Sequence, residues 1–425
     1  MYINKSKPIV IWVTWSVGKT SCRMIIYQTL KIIIDKHNIY TSPKNFNWEI
    51  GTALSIFQIE KFGPNPWLFL KILAIMIWKV IFDKPWYDII FIEYWIDHIW
   101  EMDLQLGIIK PDFAIWTGVD MVHASNYPNN DPSYIASEKA KLALAARKMV
   151  FLNKNDSYCR DYIDKIWTDL FLFDTSDGSI DKASKIQINS TMTWSHNIAY
   201  INIWTVIAET LRYQLWYKDN KQYIYDIDYD LQAGRYTILN GVNNSNIIDS
   251  SYNWAPASMK VTIKQVVDGF NISKNSKSVK SENISNIYKK QKIILVLGEM
   301  RELGNLSQSE HENLIQYICD LKIENLDKLV LVSGDMIKYG SVKAKKLSLD
   351  YINYEDSLTA GKRLRDYILA NEDVKYTILF KSSQWQIYLE EAIKCILADM
   401  ADVSKLCRQD NEWIKIKKKQ GRYNS

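Results

Sequence analysis

The stretch "IVIWVTWSVGKTS" (residues 9–21) constrains the fold of this chain most. An apolar run reads as a buried strand. Gly18-Lys19-Thr20-Ser21 then opens a segment with helical periodicity over roughly 19–35. A strand, a tight loop, Gly-Lys-Thr and a helix together make an anion site. Backbone N–H groups and the helix N-terminus face the phosphates, Lys19 reaches the β- and γ-phosphates, and the Thr20 hydroxyl is a ligand for Mg²⁺. The candidate phosphate-binding residues are Trp15, Ser16, Val17, Gly18, Lys19, Thr20 and Ser21. The full spacing G-x-x-x-x-G-K-[ST] is not met, because Val13 holds its first position. Trp15 places an indole where such a loop needs a small residue. A plain helix start is the other reading of this stretch.

Beyond this loop, strands and helices alternate. "YDIIFIEY" (87–94), "PDFAIWTGV" (111–119) and "MVFLNKND" (149–156) read as buried strands, and "SEKAKLALAARK" (137–148) as a helix. This alternation favours a parallel α/β sheet. A linker is expected near 231–237. After it "SNIIDSSYN", "KIILVLGEM", "KLVLVSGD" and "YTILFKSS" restart the pattern, so a second, smaller Rossmann-like domain is expected. Its Ser/Lys/Asn-rich stretch 271–290 reads as a flexible surface insertion. "WLFLKILAIMIWKVIF" (67–82) is almost wholly apolar, with Lys71 and Lys79 its only charges. It is short for a transmembrane helix. It reads as a core or interface helix, or alternatively as a helix on a membrane surface.

Composition narrows the function. A net charge of +5 with interspersed signs gives no footing for nucleic acid. The five cysteines show no metal or disulfide spacing and read as free thiols in a reducing compartment. The start "MYINKSKPIVIW" runs directly into a strand, with no signal peptide, so a cytoplasmic protein is expected.

In chain order come "TSPKNFNWEIG" (41–51), "EYWIDHIWEMD" (93–103), "TGVDMVHAS" (117–125), "SEKAKLALA" (137–145), "SHNIA" (195–199), "GRYTILNGVNNSNIIDSSYNWAPASM" (234–259), "VLGEMRELG" (296–304) and "KSSQ" (381–384). From about residue 8 to about 395 this series resembles the Mur ligase family. "LGEMRELG" and the "SYN-x-x-P-x-SM" pattern point to its MurF-type branch. The resemblance implies a P-loop ATPase domain over 1–232, with an apolar insertion at about 60–86. It implies a C-terminal domain over 233–425. It also implies a monomeric, ATP- and Mg²⁺-dependent ligase of peptidoglycan precursor synthesis. Such an enzyme activates a muramoyl-peptide carboxylate as an acyl phosphate and joins it to D-Ala-D-Ala.

The resemblance assigns roles residue by residue. Lys19 and Thr20 keep the roles given above, and Glu93 and His123 become Mg²⁺ ligands. His98 falls in the motif after Glu93. Lys141 matches a lysine that many members carbamylate into a further metal ligand, with Lys139 the alternative if the register is off by two. Asn197, beside His196, matches an adenine-side contact, although Tyr200 replaces the second Asn of that motif. Arg235 matches an arginine that reaches the nucleotide. Asp249 matches the first acid of D-D-S-Y-N, whose second acid is Ser250 here. Tyr252, Asn253, His311 and Lys381 are the substrate-side candidates. The loop begins near residue 12, so the N-terminal UDP-sugar domain of the family is expected to be missing. The apolar insertion is therefore expected to take over part of substrate handling, facing a lipid-linked muropeptide. A Mur-like ligase for a lipid-linked or non-muramoyl acid, and a catalytically inactive nucleotide-binding protein, are the competing readings.

The tryptophans bear on all of this. Glycine is scarce, 15 of 425, and tryptophan abundant, at 16. Together they reach the share glycine alone normally takes, about 7%. Trp15, Trp95 and Trp100 fall on glycines of the family motifs. Trp12 and Trp194 lie where members often have glycine, and Trp204 and Trp254 at small-residue positions. Trp67, Trp78 and Trp413 match no family glycine. The pattern implies codons UGA read as glycine in the native protein and as tryptophan in this sequence.

Overall fold

The computed structural model describes residues 2–14, 19–34, 36–41, 51–59, 66–94, 96, 98–119, 131–181, 184–190, 195–215, 221–227, 229, 233–252, 254, 256–275, 291–301, 303–383 and 386–423. The chain divides into two compact units, Met1–Asp230 and Leu231–Ser425.

In the first unit the elements are β1 (Ile9–Thr14), α1 (Lys19–Ile33), β2 (Ile39–Thr41), α2 (Gly51–Ile56), α3 (Pro66–Phe82), β3 (Ile89–Tyr94), α4 (Glu101–Ile108), β4 (Phe113–Trp116), α5 (Pro132–Leu144) and β5 (Met149–Asn153). They are followed by the short α6 (Ser157–Arg160), β6 (Asp169–Phe173), β7 (Ile186–Asn189), α7 (Ser195–Leu215) and β8 (Tyr223–Asp226). The main sheet runs β2-β3-β1-β4-β5-β6, all parallel. Parallel strands covered on both faces must be apolar nearly throughout, and β1, β3, β4 and β5 are. The expected helix at 137–148 begins earlier, at Pro132, where the Asp131 carboxylate accepts from Ser133 N–H and proline takes the first turn.

Trp12, Trp116 and Trp204 are completely buried, and Trp12 and Trp116 pack in one apolar cluster with Ile90, Ala114 and Ala140. At Trp12 and Trp204 the expectation of a small residue therefore meets a filled core. Trp100 is different. It is half exposed, and its φ of 88° lies in the left-handed region that favours glycine.

α3 departs most from its sequence reading. Of its seventeen residues only Ile72 is buried, packing with Leu54 and Ile59. It is therefore not a core helix. No described helix is long and apolar enough to cross a membrane.

The second unit holds β9 (Thr237–Asn240), β10 (Asn246–Ser250), α8 (Pro256–Asn275), β11 (Gln291–Gly298), α9 (Ser307–Asp320), β12 (Leu326–Val332), α10 (Val342–Lys346), β13 (Tyr351–Tyr354), α11 (Ser357–Ala370), β14 (Lys375–Lys381), α12 (Leu389–Ile396) and α13 (Asn411–Lys419). The sheet order is β13-β12-β11-β14-β10-β9, parallel except for β9. Residues 271–275 of the expected surface insertion belong to α8, and 276–290 lie outside the described residues. Two apolar layers cover the sheet, one built on Ile294, Val330 and Ile378 and the other on Leu295, Leu331 and Met259. The chain is thus mixed α/β, with a parallel sheet in its first unit and a second, mostly parallel sheet in the other.

Candidate functional site

In the first unit Glu93 lies at the C-terminal end of β3, beside the end of β1 that leads to the Gly-Lys-Thr stretch. Register sets Val13 beside Glu93 and Thr14 beside Tyr94, and Thr14 also pairs with Trp116 of β4. α1 begins at Lys19, shortly after this edge. Trp15, Ser16, Val17, Gly18 and the side chains of Lys19, Thr20 and Ser21 lie outside the described residues, as do Trp95, His123, Trp194 and the His196 side chain.

Glu93 is largely buried. Its Oε2 stands 3.6 Å from the Arg23 Nε of α1, beyond hydrogen-bond distance. Thr14 Oγ1, Glu93 Oε2 and Asn197 Oδ1 are among the unit's buried oxygens without a hydrogen-bond partner among the described residues, a set that also includes Thr52 Oγ1, Glu138 Oε2 and Thr168 Oγ1. Leaving such atoms unmatched costs about 1–3 kcal/mol each, and the two that stand on neighbouring strand ends, Thr14 and Glu93, are the candidates to meet a polar ligand. Thr14 and Glu93 lie at the ends of neighbouring strands. Asn197 sits in the first turn of α7, a helix that packs on α1. A hard cation suits the Glu93 oxygen, because such cations take carboxylate ligands.

Lysine geometry corrects the expectation for α5. The Lys141 ammonium donates to Asp103 Oδ2 at 2.5 Å and Glu138 Oε1 at 2.6 Å, so it faces α4. Partial burial alone lowers its pKa, but the two acids outweigh this and raise it. Carbamylation needs the neutral amine, so this environment opposes it. Lys139, the alternative register, is buried and reaches the Gly118 carbonyl at 3.4 Å, just beyond β4. It is therefore Lys139 that faces the strand ends.

Two residues the sequence reading missed shape that same edge. Asn153 donates through Nδ2 to the Thr117 carbonyl at 2.9 Å, and Asp156 Oδ2 accepts from Val119 N–H at 2.9 Å. Gly118 lies against this carboxylate with φ of 144°, and a Cβ there would meet Asp156 Oδ2 at 2.9 Å. The "NKND" after β5 thus fixes the segment leading toward 120–130. The signal was present in the sequence as two polar residues at a buried strand's end. His98 lies exposed between β3 and α4.

In the second unit Lys381 ends β14 and Asp249 and Ser250 end the adjacent β10. Lys381 Nζ reaches Ser250 Oγ at 3.5 Å. Burial, then the Arg235 charge, brings the Lys381 pKa down to about 7, with Asp249 opposing. Burial raises Asp249 to about 6, although Ser251 N–H donates to its Oδ1 at 2.9 Å. Asp249 Oδ2 is buried without a hydrogen-bond partner among the described residues. The Arg235 guanidinium lies over the Tyr252 ring, 4.5 Å from its centroid. Asn253 lies outside the described residues.

Beneath this loop Arg408 grips Glu390 with both sides of its fork, at 2.8 and 2.6 Å, and donates to the Ser251 and Tyr252 carbonyls. Lys417 of α13 bonds Glu391 at 2.5 Å. The sequence reading missed this network, which joins residues far apart in the chain.

His311 is wholly buried on α9. Its Nδ1–H donates to the Ser307 carbonyl at 2.7 Å and its Nε2 accepts from Met300 N–H at 2.9 Å. Burial lowers its pKa and holds it neutral. Nε2 is thus committed to the "LGEMRELG" loop and Nδ1 to the first turn of its own helix, so both nitrogens are engaged by backbone rather than free for the substrate contact expected of His311. The same loop is tied to the end of β14 by Ser383: its Oγ accepts from Arg301 N–H at 2.8 Å, and its N–H donates to the Glu299 carbonyl at 3.1 Å.

Comparison with known proteins agrees with the architecture. No protein-family profile matches the chain. A UDP-N-acetylmuramoyl-tripeptide–D-alanyl-D-alanine ligase from Borreliella burgdorferi is 25% identical over 353 residues, 79% of this chain and 64% of the relative. The chain thus spans just under two thirds of the length of that curated relative. MurF from Acinetobacter baumannii superposes with a TM-score of 0.62 at 15% identity, covering 94% of this chain and 77% of that one. MurF ligase from Thermotoga maritima, solved in complex with ADP, gives 0.59 at 17% identity, covering 91% and 79%. The resemblance read from the motifs is borne out: this chain has the fold of the Mur ligases and is similar in sequence to ligases of the MurF type.

Proposed function

We propose that this chain is an ATP-dependent amide ligase of the MurF type. It activates the carboxylate of a muramoyl peptide and joins it to D-Ala-D-Ala in the cytoplasm. The observation that carries this reading is the pair of buried oxygens without a hydrogen bond among the described residues, Thr14 Oγ1 and Glu93 Oε2, on adjacent strand ends of the unit that bears the Gly-Lys-Thr loop.

In this reading Lys19 holds the β- and γ-phosphates. Thr20, Glu93 and His123 hold Mg²⁺, with Lys139 rather than Lys141 as the nearby lysine. Bound there, the cation supplies neutralisation of the charge that gathers on the transferring phosphoryl group. Arg23 stands beside the Glu93 carboxylate at 3.6 Å and orients it. Asn197 offers its amide to the nucleotide. Asn153 and Asp156 hold the segment that leads to His123. Transfer breaks the bond between the γ-phosphorus and its bridging oxygen and forms one to the substrate carboxylate. The amine then attacks the acyl carbon, phosphate departs, and the amine loses a proton. Arg235, Asp249, Tyr252, Asn253 and Lys381 are the second unit's candidates for nucleotide and substrate contacts.

A second reading, a Mur-like ligase acting on a lipid-linked acid, is favoured by the exposed apolar face of α3. Phosphate release from ATP separates the readings. Release that needs both D-Ala-D-Ala and a UDP-muramoyl tripeptide supports the first. Release only with a lipid-linked or other acid supports the second. No release with any acceptor overturns both, leaving an inactive nucleotide-binding protein. Variants with glycine at Trp15, Trp95 and Trp100 belong in the same assay, because an indole at 15 would fill the phosphate volume.

A further inference from the structure

Helix α3 carries an apolar face that the protein leaves uncovered. Phe69, Leu70, Leu73, Ile77, Ile81 and Phe82 are each between 45% and 71% exposed. The opposite side is anchored: Ile72 packs against Leu54 and Ile59, and the Lys79 ammonium donates to the Phe57 carbonyl at 2.9 Å. A contiguous apolar surface of this kind marks an interaction site.

Charge selects the occupant. The helix has no acidic residue, and beside the anchored Lys79 its Lys71 is exposed. Lys5 donates to the Ile81 and Asp83 carbonyls at its C-terminal end, where Lys84 is also exposed. Asp83 is the acid at this end, and its carboxylate accepts from Lys84 N–H. A symmetric pairing of two copies would set lysines against lysines. At about 1.5 Å per residue the helix is about 25 Å long, short of the ~30 Å hydrocarbon core. An apolar face with a lysine rim, on a helix too short to span and fixed along one side, fits the interface of an anionic bilayer.

We propose that α3 docks this protein on anionic membrane surfaces, lying in the plane of the headgroups with its exposed apolar face inserted. This holds whichever acid the ligase takes, and its test is separate from turnover. The full chain is sedimented with vesicles of phosphatidylcholine, with and without phosphatidylglycerol. Two variants accompany it, Leu73→Glu with Ile77→Glu, and Lys71→Glu with Lys84→Glu. All four positions are exposed, and circular dichroism checks that each variant folds. Binding to phosphatidylglycerol vesicles is expected, weakened by salt and reduced about tenfold or more in either variant. Failure of the wild-type chain to bind overturns the proposal. So does equal binding with and without phosphatidylglycerol, or binding unaffected by both variants. A lipid-independent dimer lost in Leu73→Glu/Ile77→Glu, with no vesicle binding, overturns it in favour of a second copy.

Discussion

The two units solve the same problem differently at the C-terminal edge of a parallel sheet. In the first, Asn153 and Asp156 are hydrogen-bonded to the backbone after β4, while Thr14 Oγ1 and Glu93 Oε2 are buried without a hydrogen-bond partner among the described residues. In the second the polar groups are mostly closed on one another. Arg408 locks Glu390, Lys417 bonds Glu391, and His311 spends both nitrogens on the backbone. Asp249 Oδ2 is the buried oxygen that stands open there among the described residues. Unmatched polar groups cost stability unless a ligand meets them, whereas matched networks hold a surface in shape. The strand ends of the first unit thus keep two buried oxygens free of hydrogen bonds among the described residues, whereas most polar groups described for the second are matched within the fold.

That contrast is broken most directly at Glu93. Glu93→Gln should lower acceptor-dependent phosphate release by about a hundred- to a thousandfold, with little change in the thermal midpoint. Near-normal turnover, read by a coupled phosphate assay, would remove the strand-end carboxylate from the site. Arg408→Met should do the reverse. It leaves Glu390 buried without its main partner and should cost about 3–5 kcal/mol in urea unfolding. A loss below about 1 kcal/mol, the scale of an exposed pair, would show that the second unit does not rely on this network.

The lysines of α5 sharpen the picture. Lys139→Ala should reduce turnover about a hundredfold, the scale of one positioned catalytic group, while Lys141→Ala falls by less than about tenfold. The opposite ranking would restore Lys141 to the site.

Lys381 gives the second unit a pH signature. Its pKa is about 7 in the fold against 10.5 for an ordinary lysine. Between these values the unfolded chain carries a proton that the folded chain lacks, so stability rises with pH across that window. Lys381→Met should flatten this rise in urea midpoints measured from pH 7 upward. An unchanged slope would mean that the buried amine keeps its proton.

The smallest effect is at Trp100. Its left-handed backbone penalises any side chain by about 1 kcal/mol. Trp100→Gly should recover about that much in thermal unfolding, and mass spectrometry of the native protein should find glycine there. Tryptophan at position 100 would sink the recoding reading at this site.

Much of this was legible in the amino-acid order. The apolar runs that close on Thr14, Glu93, Ser250 and Lys381 are strands because buried parallel strands must be apolar along most of their length. Their final polar residues mark the sheet edges where ligands bind. Periodicity also made 137–148 helical, yet it could not choose between Lys139 and Lys141. Residues two apart on a helix point in different directions, and only the packing against α4 and β4 decides which faces which. Likewise a histidine in a motif reads the same whether it meets a substrate or, like His311, two backbone groups.

By itself, then, the sequence determined the alternation of strands and helices, the two sheets and the strand-end positions of Glu93, Asp249 and Lys381. Each of these comes from local hydrophobic patterning. The tertiary structure alone decided which polar groups are matched and which are left open, which lysine turns to the strand ends, and that α3 shows its apolar face to the outside. Those outcomes depend on neighbours distant in the chain, and burial and hydrogen-bond satisfaction are properties of the packed molecule rather than of any stretch of it.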